Sequence, residues 1–261
     1  MEEKSYKKGE IRVGRIVKNK NPSFENFKPI IVMTPSSAYG DIGPYCLKTK
    51  EGYLMENIWQ FSKVYPKVPK TTQVYSRWNN MIIWDWPEEI HISLSASQKE
   101  LNSETEEVNE KYWHWRNEGI KAKNAIRYPV GRANMNQCIY ALNKISENPL
   151  KYEKLDYIEA RKKIYVKVYK DLVQNHPTFL KLKEWLNKGI NLLIIEIDGP
   201  HEESLEYYKN KYGVADNFIQ NYTILATKNN LEIMLNDDKH SYGHGYVLCA
   251  CLMELTHIFN E

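Results

Sequence analysis

The run Asn191-Leu-Leu-Ile-Ile-Glu-Ile-Asp198 constrains this chain more than any other stretch. It reads as a strand too apolar to face water on both sides, so other elements must cover it. Pro29-Ile-Ile-Val-Met33 reads as a second short buried strand, and Ile11-Arg-Val-Gly-Arg-Ile-Val17 alternates like an edge strand. Between and after them lie helical patterns. Met55 to Tyr65 must end before Pro66, Lys111 to Ala125 is a second helix, and Asp156 to Val173 is amphipathic and closed by Asn175-His-Pro177. Thr178 is positioned to cap the next helix and Gly189 to stop it. Glu202 to Tyr212 is a short helix, Leu231 to Leu235 alternates, and Val247 to Leu255 is an apolar closing helix after a Gly turn. The fold expected is α+β: one domain over residues 1–261, mainly helical around a small sheet, with loop insertions.

Composition agrees with a folded chain. Of 261 residues, 42% are hydrophobic and 26% charged, which excludes disordered, collagenous and small disulfide-stapled classes. Thirty-six basic residues against 33 acidic give +3, too weak and mixed to mark a nucleic-acid or membrane-surface protein. No apolar stretch follows the N-terminal residues, and no run of about eighteen apolar residues exists, so a cytoplasmic protein without membrane contact is expected. Cys249 and Cys251 lie in an apolar run and read as core.

The first helix carries the sharpest chemical signal. At about 100° per residue, Glu56, Gln60 and Lys63 fall within roughly 60° of one another. Met55, Ile58, Trp59, Phe61, Val64 and Tyr65 occupy most of the remaining circumference, so the helix should be largely buried. The polar stripe is then either a narrow solvent face or the lining of a cavity where acid, amide and amine converge. Spacing leaves both readings open.

Tyr39-Gly-Asp-Ile-Gly-Pro-Tyr45, followed by Glu56-Asn-Ile-Trp-Gln-Phe-Ser-Lys63, resembles the opening motifs of the NADAR superfamily of N-glycosidases. That family shows a Tyr-Gly-x-(Leu/Phe)-Ser-Asn-Phe loop and a helix with Glu-His-x-x-Gln-Ala-x-Lys. The resemblance continues, in order over roughly residues 29–255, in Pro129-Val-Gly-Arg132, the helix into Gln174-Asn175, Leu192-Leu-Ile-Ile-Glu196, Asn236-Asp237 and Gly243-His-Gly-Tyr246. Asn57 stands where the family has His, Pro44 where Asn is usual, and a Trp expected early in the long helix is absent. Segments at about 97–111 and 199–230 are insertions relative to the family.

The resemblance implies cleavage of a ribosyl C1–N bond, in an ADP-ribosylated guanine or a ribosylamino-pyrimidine of riboflavin synthesis. The substrate would be a small molecule or a base linked to nucleic acid, with no cofactor. Glu56 would stabilise positive charge on the ribose and orient water. Lys63 would form a Schiff base with opened ribose or bind phosphate, and Gln60 would position a base or hydroxyl. Asp237 or Asp198 would be a second acid, with Asp237 favoured by the local match. Tyr39, Tyr45 and Trp59 would stack on a flat base, with Gly40 in the same loop. Arg132 either binds substrate or pairs with Glu196. Gly243 and Gly245 either admit a phosphate to backbone amides or simply make a tight turn. A non-catalytic module that binds ADP-ribose-like ligands is the alternative. Asp237, Asp238, His240 and His244 suggest a metal centre, but the glycines at 243 and 245 oppose a shared helix face there, and no metal is expected.

Overall fold

The computed structural model describes residues 7–68, 70, 78–84, 86–92, 108–127, 138–147 and 150–260. The architecture is mixed α and β. Packing divides the chain into two compact units, Met1–Gly43 with Val166–Glu261, and Pro44–Tyr165. Among the described residues no helix is long and apolar enough to cross a membrane.

The first unit is built on the apolar run. Leu192–Glu196 is buried at every position and lies inside a four-stranded sheet ordered Thr223–Leu225, Ile11–Arg15, Leu192–Glu196, Lys28–Ile31. It runs parallel to both neighbours, with Ile194 opposite Val13 on one side and Ile30 on the other. The helix His244–Leu252, buried along its whole length, packs on Ile11–Arg15 and Leu192–Glu196. Lys167–Val173, Pro177–Asn187 and Lys228–Leu235 pack around that helix in turn. A helix buried along its whole length at the centre of a helical layer meets the requirement that the strand beneath it be covered.

Three local expectations for this unit are corrected. Ile11–Arg15 is an interior strand, paired on both sides, rather than an edge. Its apparent polar position, Arg12, is buried: Nε donates to Thr223 Oγ1 at 2.7 Å and the guanidinium lies over Phe24. Leu231 to Leu235 belongs to a helix, because Leu231, Met234 and Leu235 recur at helical spacing and Thr227 caps it, accepting from the Asn230 amide. The cap of Pro177–Asn187 is His176, whose Nδ1 accepts from the Thr178 amide, while the Thr178 hydroxyl donates to Asp41.

The second unit has a short first helix, Met55–Gln60. It was expected to reach Tyr65, but Ser62 Oγ donates to the Trp59 carbonyl and the chain turns into the strand Lys63–Val64. That strand pairs antiparallel with Tyr140–Glu147, which pairs in turn with Leu150–Leu155. Long-range pairing ends the helix, which no local pattern could reveal. The helix Glu110–Lys121 packs on the first helix. Phe61, Val64, Tyr65, Tyr112, Trp115 and Tyr140 form the main core of this unit. Helical backbone from Tyr157 to Val173 contains a π segment over Arg161–Val166. Ile164, Tyr165, Val166, Tyr169 and Val173 are buried along it, while Val168 and Leu172 are half-buried.

Candidate functional site

In the second unit the loop and helix that carry the Tyr39–Lys63 pattern are tied together from Pro44 onward. The Met55 amide donates to the Leu47 carbonyl at 3.0 Å and the Glu56 amide to the Pro44 carbonyl at 2.9 Å. These two bonds use amides of the helix's first turn, which have no partner within the helix. Glu56 therefore starts the helix in a fixed position, and only 5% of it is exposed.

Glu56, Gln60 and Lys63 form a directed chain. Lys63 Nζ donates to Gln60 Oε1 at 3.1 Å, and Gln60 Nε2 donates to Glu56 Oε1 at 2.8 Å. The order is unique: an ammonium only donates, a carboxylate only accepts, so the amide between them can face only one way. Lys63 reaches this chain from the strand after the helix rather than from a helical stripe. Its ammonium also lies 4.7 Å from the centre of the Trp59 ring. Trp59 packs edge-on to Tyr165, beside a cluster of Ala141, Leu155, Ala160 and Ile164. Tyr45 packs against Leu54, Ile82 and Ala125.

Asn57, at the position where the NADAR pattern has His, is fully buried and structural. Its Nδ2 donates to the carbonyls of Ala122 and Asn124 at 3.1 and 3.0 Å, and its Oδ1 accepts from the Ile126 amide at 2.8 Å. One side chain thus satisfies three backbone groups of the segment after Glu110–Lys121.

The first unit gathers its own polar groups. Glu196 ends its strand at the N-terminus of His244–Leu252 and is buried. Its Oε1 accepts from the Gly245 amide at 3.0 Å, and the Tyr246 amide also donates to the carboxylate. His244 Nδ1 stands 3.3 Å from Oε2, while His244 Nε2 is 2.5 Å from the Val32 carbonyl. Burial, reinforced by the charge of exposed Asp198, pushes the Glu196 carboxyl up to about 8, and burial takes His244 down to about 4. At neutral pH the pair is accordingly a protonated acid donating to Nδ1 of a neutral imidazole, whose single N–H, on Nε2, donates to the Val32 carbonyl.

The glycines around it have a steric reason. A Cβ at Gly243 would sit 2.0 Å from Glu196 Oε2, and one at Gly245 would sit 2.6 Å from Oε1. The anion position at this helix N-terminus is filled by the chain's own side chain. Gly40 is also sterically required, since a Cβ there would meet the Thr34 carbonyl oxygen at 1.9 Å. Tyr39 beside it packs edge-on to Trp185. Arg132 lies outside the described residues.

Asp237 is fully buried and collects four donors. The Tyr207 and Tyr208 hydroxyls donate at 2.7 Å each, His240 Nδ1 is 2.6 Å away, and the Lys239 amide is at 3.2 Å. Burial alone would raise its pKa, but these donors together hold it below the ordinary aspartate value. His240 in turn places Nε2 2.9 Å from Ser204 Oγ. Ser204 carries no flanking Gly-x-Ser-x-Gly or other marker, so nothing in the sequence singles it out. His240 and His244, paired in the metal reading, turn to different partners. Among the described residues no three His, Cys, Asp or Glu side chains are grouped to hold a metal ion. Trp115 is core, and Trp113 packs on Tyr152.

No protein-family model, curated protein or solved structure matches this chain.

Proposed function

We propose that this chain is an N-glycosidase that cleaves a ribosyl C1–N bond, in an ADP-ribosylated guanine or a ribosylamino-pyrimidine. The observation that carries the reading is the directed chain Lys63→Gln60→Glu56, buried at Gln60 and Glu56, at the end of the Tyr39–Lys63 pattern. Departure of the base builds positive charge on the ribose ring. A carboxylate held beside C1 stabilises that charge without reorganising, and it can take a proton from the attacking water. Gln60 fixes the rotamer of Glu56, and Lys63 fixes Gln60. The donation of Lys63 to the Gln60 amide oxygen and its place over the Trp59 ring suit an ammonium that binds phosphate or a hydroxyl. Of the two candidates for a second acid, Asp198 is exposed and Asp237 already receives four donors. The reading therefore rests on Glu56. The substrate is a free nucleotide-like molecule or a modified base within nucleic acid, and the reaction needs only water.

The test is release of free sugar from ADP-ribosylated guanosine and from a ribosylamino-pyrimidine. Glu56→Gln keeps the hydrogen bond from Gln60 and removes the charge, so turnover should fall about 10²–10⁴-fold with the fold intact. Full turnover by Glu56→Ala would overturn the proposal. Borohydride reduction during turnover separates the roles of Lys63: a ribosyl mass on the protein marks an imine, and its absence leaves binding.

The commitment of Asn57 to three backbone groups favours a second reading, a binding module that recognises ADP-ribose-like ligands without cleaving them. That module predicts binding without sugar release, unchanged by Glu56→Gln.

A further inference from the structure

Ser204, His240 and Asp237 come from separate segments. Ser204 closes the turn Glu202–Ser204 and stands at the N-cap of the helix Leu205–Tyr212. Asp237 and His240 lie in the loop after the helix Lys228–Leu235. They meet with Ser204 Oγ 2.9 Å from His240 Nε2 and His240 Nδ1 2.6 Å from Asp237 Oδ2. Because Asp237 is an ionised acceptor, Nδ1 carries the imidazole proton. Nε2 is then a lone pair facing the serine hydroxyl.

The turn Glu202–Ser204 runs directly into the helix, so Ser204 lacks the extended backbone of a capping serine, and its hydroxyl makes no cap bond and points at His240. Asp237 is fully buried, while His240 and Ser204 are both partly exposed. The acid is therefore sheltered while the imidazole and the serine are not. The imidazole is held in its plane by Tyr208 stacked at 5.3 Å, Tyr207 edge-on at 5.3 Å and His201 at 5.4 Å.

We propose that Ser204 is a nucleophile activated by His240 and positioned through Asp237, forming a site that hydrolyses small carboxylic esters. The Ser204 hydroxyl proton passes to His240 Nε2 as Oγ bonds to the ester carbonyl carbon. The C–O bond to the alcohol then breaks and the alcohol leaves with that proton. Water attacks the acyl-serine, giving one proton to His240; the acid departs and the serine regains its proton. This site stands independently of the glycosidase reading.

The experiment treats the full chain with a fluorophosphonate and locates the adduct by peptide mass spectrometry, alongside hydrolysis of p-nitrophenyl acetate. The Oγ–P bond forms as the P–F bond breaks, with the serine proton passing to His240 and fluoride leaving as the anion. The expected result is an adduct on Ser204, absent in Ser204→Ala at an unchanged melting temperature. His240→Gln should slow labelling about 100-fold or more. Asp237→Asn should lower the maximal labelling rate while leaving the half-saturating probe concentration unchanged, which loss of packing alone would not do. An unlabelled Ser204, or labelling as fast in folded His240→Gln as in the unaltered protein, overturns the proposal.

Discussion

Glu196 and Asp237 are buried carboxyl groups in the same unit with opposite electrostatic fates. Both are removed from water, which penalises the charged form of each, and more so for Glu196, the more deeply enclosed of the two. Glu196 receives two backbone amides and faces a neutral imidazole, with Asp198 adding like charge, and it is held protonated near neutrality. Asp237 receives two tyrosine hydroxyls, an imidazole and an amide, and stays ionised. Depth of enclosure and the number and strength of donors decide the outcome together. The consequence is a division of roles. A neutral acid can seal a helix N-terminus against a sheet, whereas an ionised one can fix a histidine tautomer.

The comparison is broken most visibly by pH. The folded value of Glu196 is raised to about 8, well above that of an ordinary glutamate, so near neutrality the folded state holds a proton that the unfolded chain has lost. Its contribution is fully present below the unfolded value and is lost as pH rises through about 8. Stability should fall over that window by up to about 1.4 kcal/mol per pH unit. Asp237 has the opposite sign: its contribution is present above the ordinary aspartate value and is lost as pH falls through its lowered folded value. Urea unfolding of Glu196→Gln across about pH 5–8 isolates the first effect. The amide retains an oxygen for Gly245 and a donor for His244, so the variant should lose the falling slope. An unchanged slope would mean Glu196 is ionised in the fold. Next in size is Gly243→Ala, whose Cβ would meet Glu196 Oε2 at 2.0 Å. The overpacking should cost about 3 kcal/mol in the same measurement. It should cost markedly less in the Glu196→Ala background, where the colliding oxygen is gone.

How much of this was legible depends on whether the cause is local. Leu192–Glu196 and the 247–252 part of the closing helix announce themselves by runs too apolar for any place but the interior. The run at 29–33, read as a buried strand, instead supplies the edge strand Lys28–Ile31, in which Lys28 and Pro29 are exposed. Glu56 and Gln60 were legible as neighbours because i and i+4 share a helix face, and the bond between them follows that spacing. Lys63 joins them for a different reason, since pairing of Lys63–Val64 with Tyr140–Glu147 ends the helix. Arg12 made an interior strand look like an edge because its partners, Thr223 and Phe24, are distant in sequence or on another segment. The glycines at 243 and 245 were legible as special, but the oxygen they accommodate belongs to Glu196, about fifty residues earlier. Ser204 lay wholly beyond sequence reasoning, because its meaning depends on a histidine thirty-six positions away.

The finest test sharpens the donor argument itself. Tyr208 is fully buried and Tyr207 only half-buried, yet each gives Asp237 one hydroxyl at 2.7 Å. If donors hold the carboxylate ionised, Tyr208→Phe should cost about 2 kcal/mol, as a hydrogen bond to a charged group does. Tyr207→Phe should cost about 1 kcal/mol, because water can replace part of what is lost at the more open position. Each loss should also move the acid limb of the stability profile to higher pH, Tyr208→Phe further than Tyr207→Phe, since the folded Asp237 is then less strongly held in its charged form. Equal shifts from both would show that exposure at the tyrosine does not matter. No shift from either would show that His240 and the Lys239 amide hold the charge by themselves.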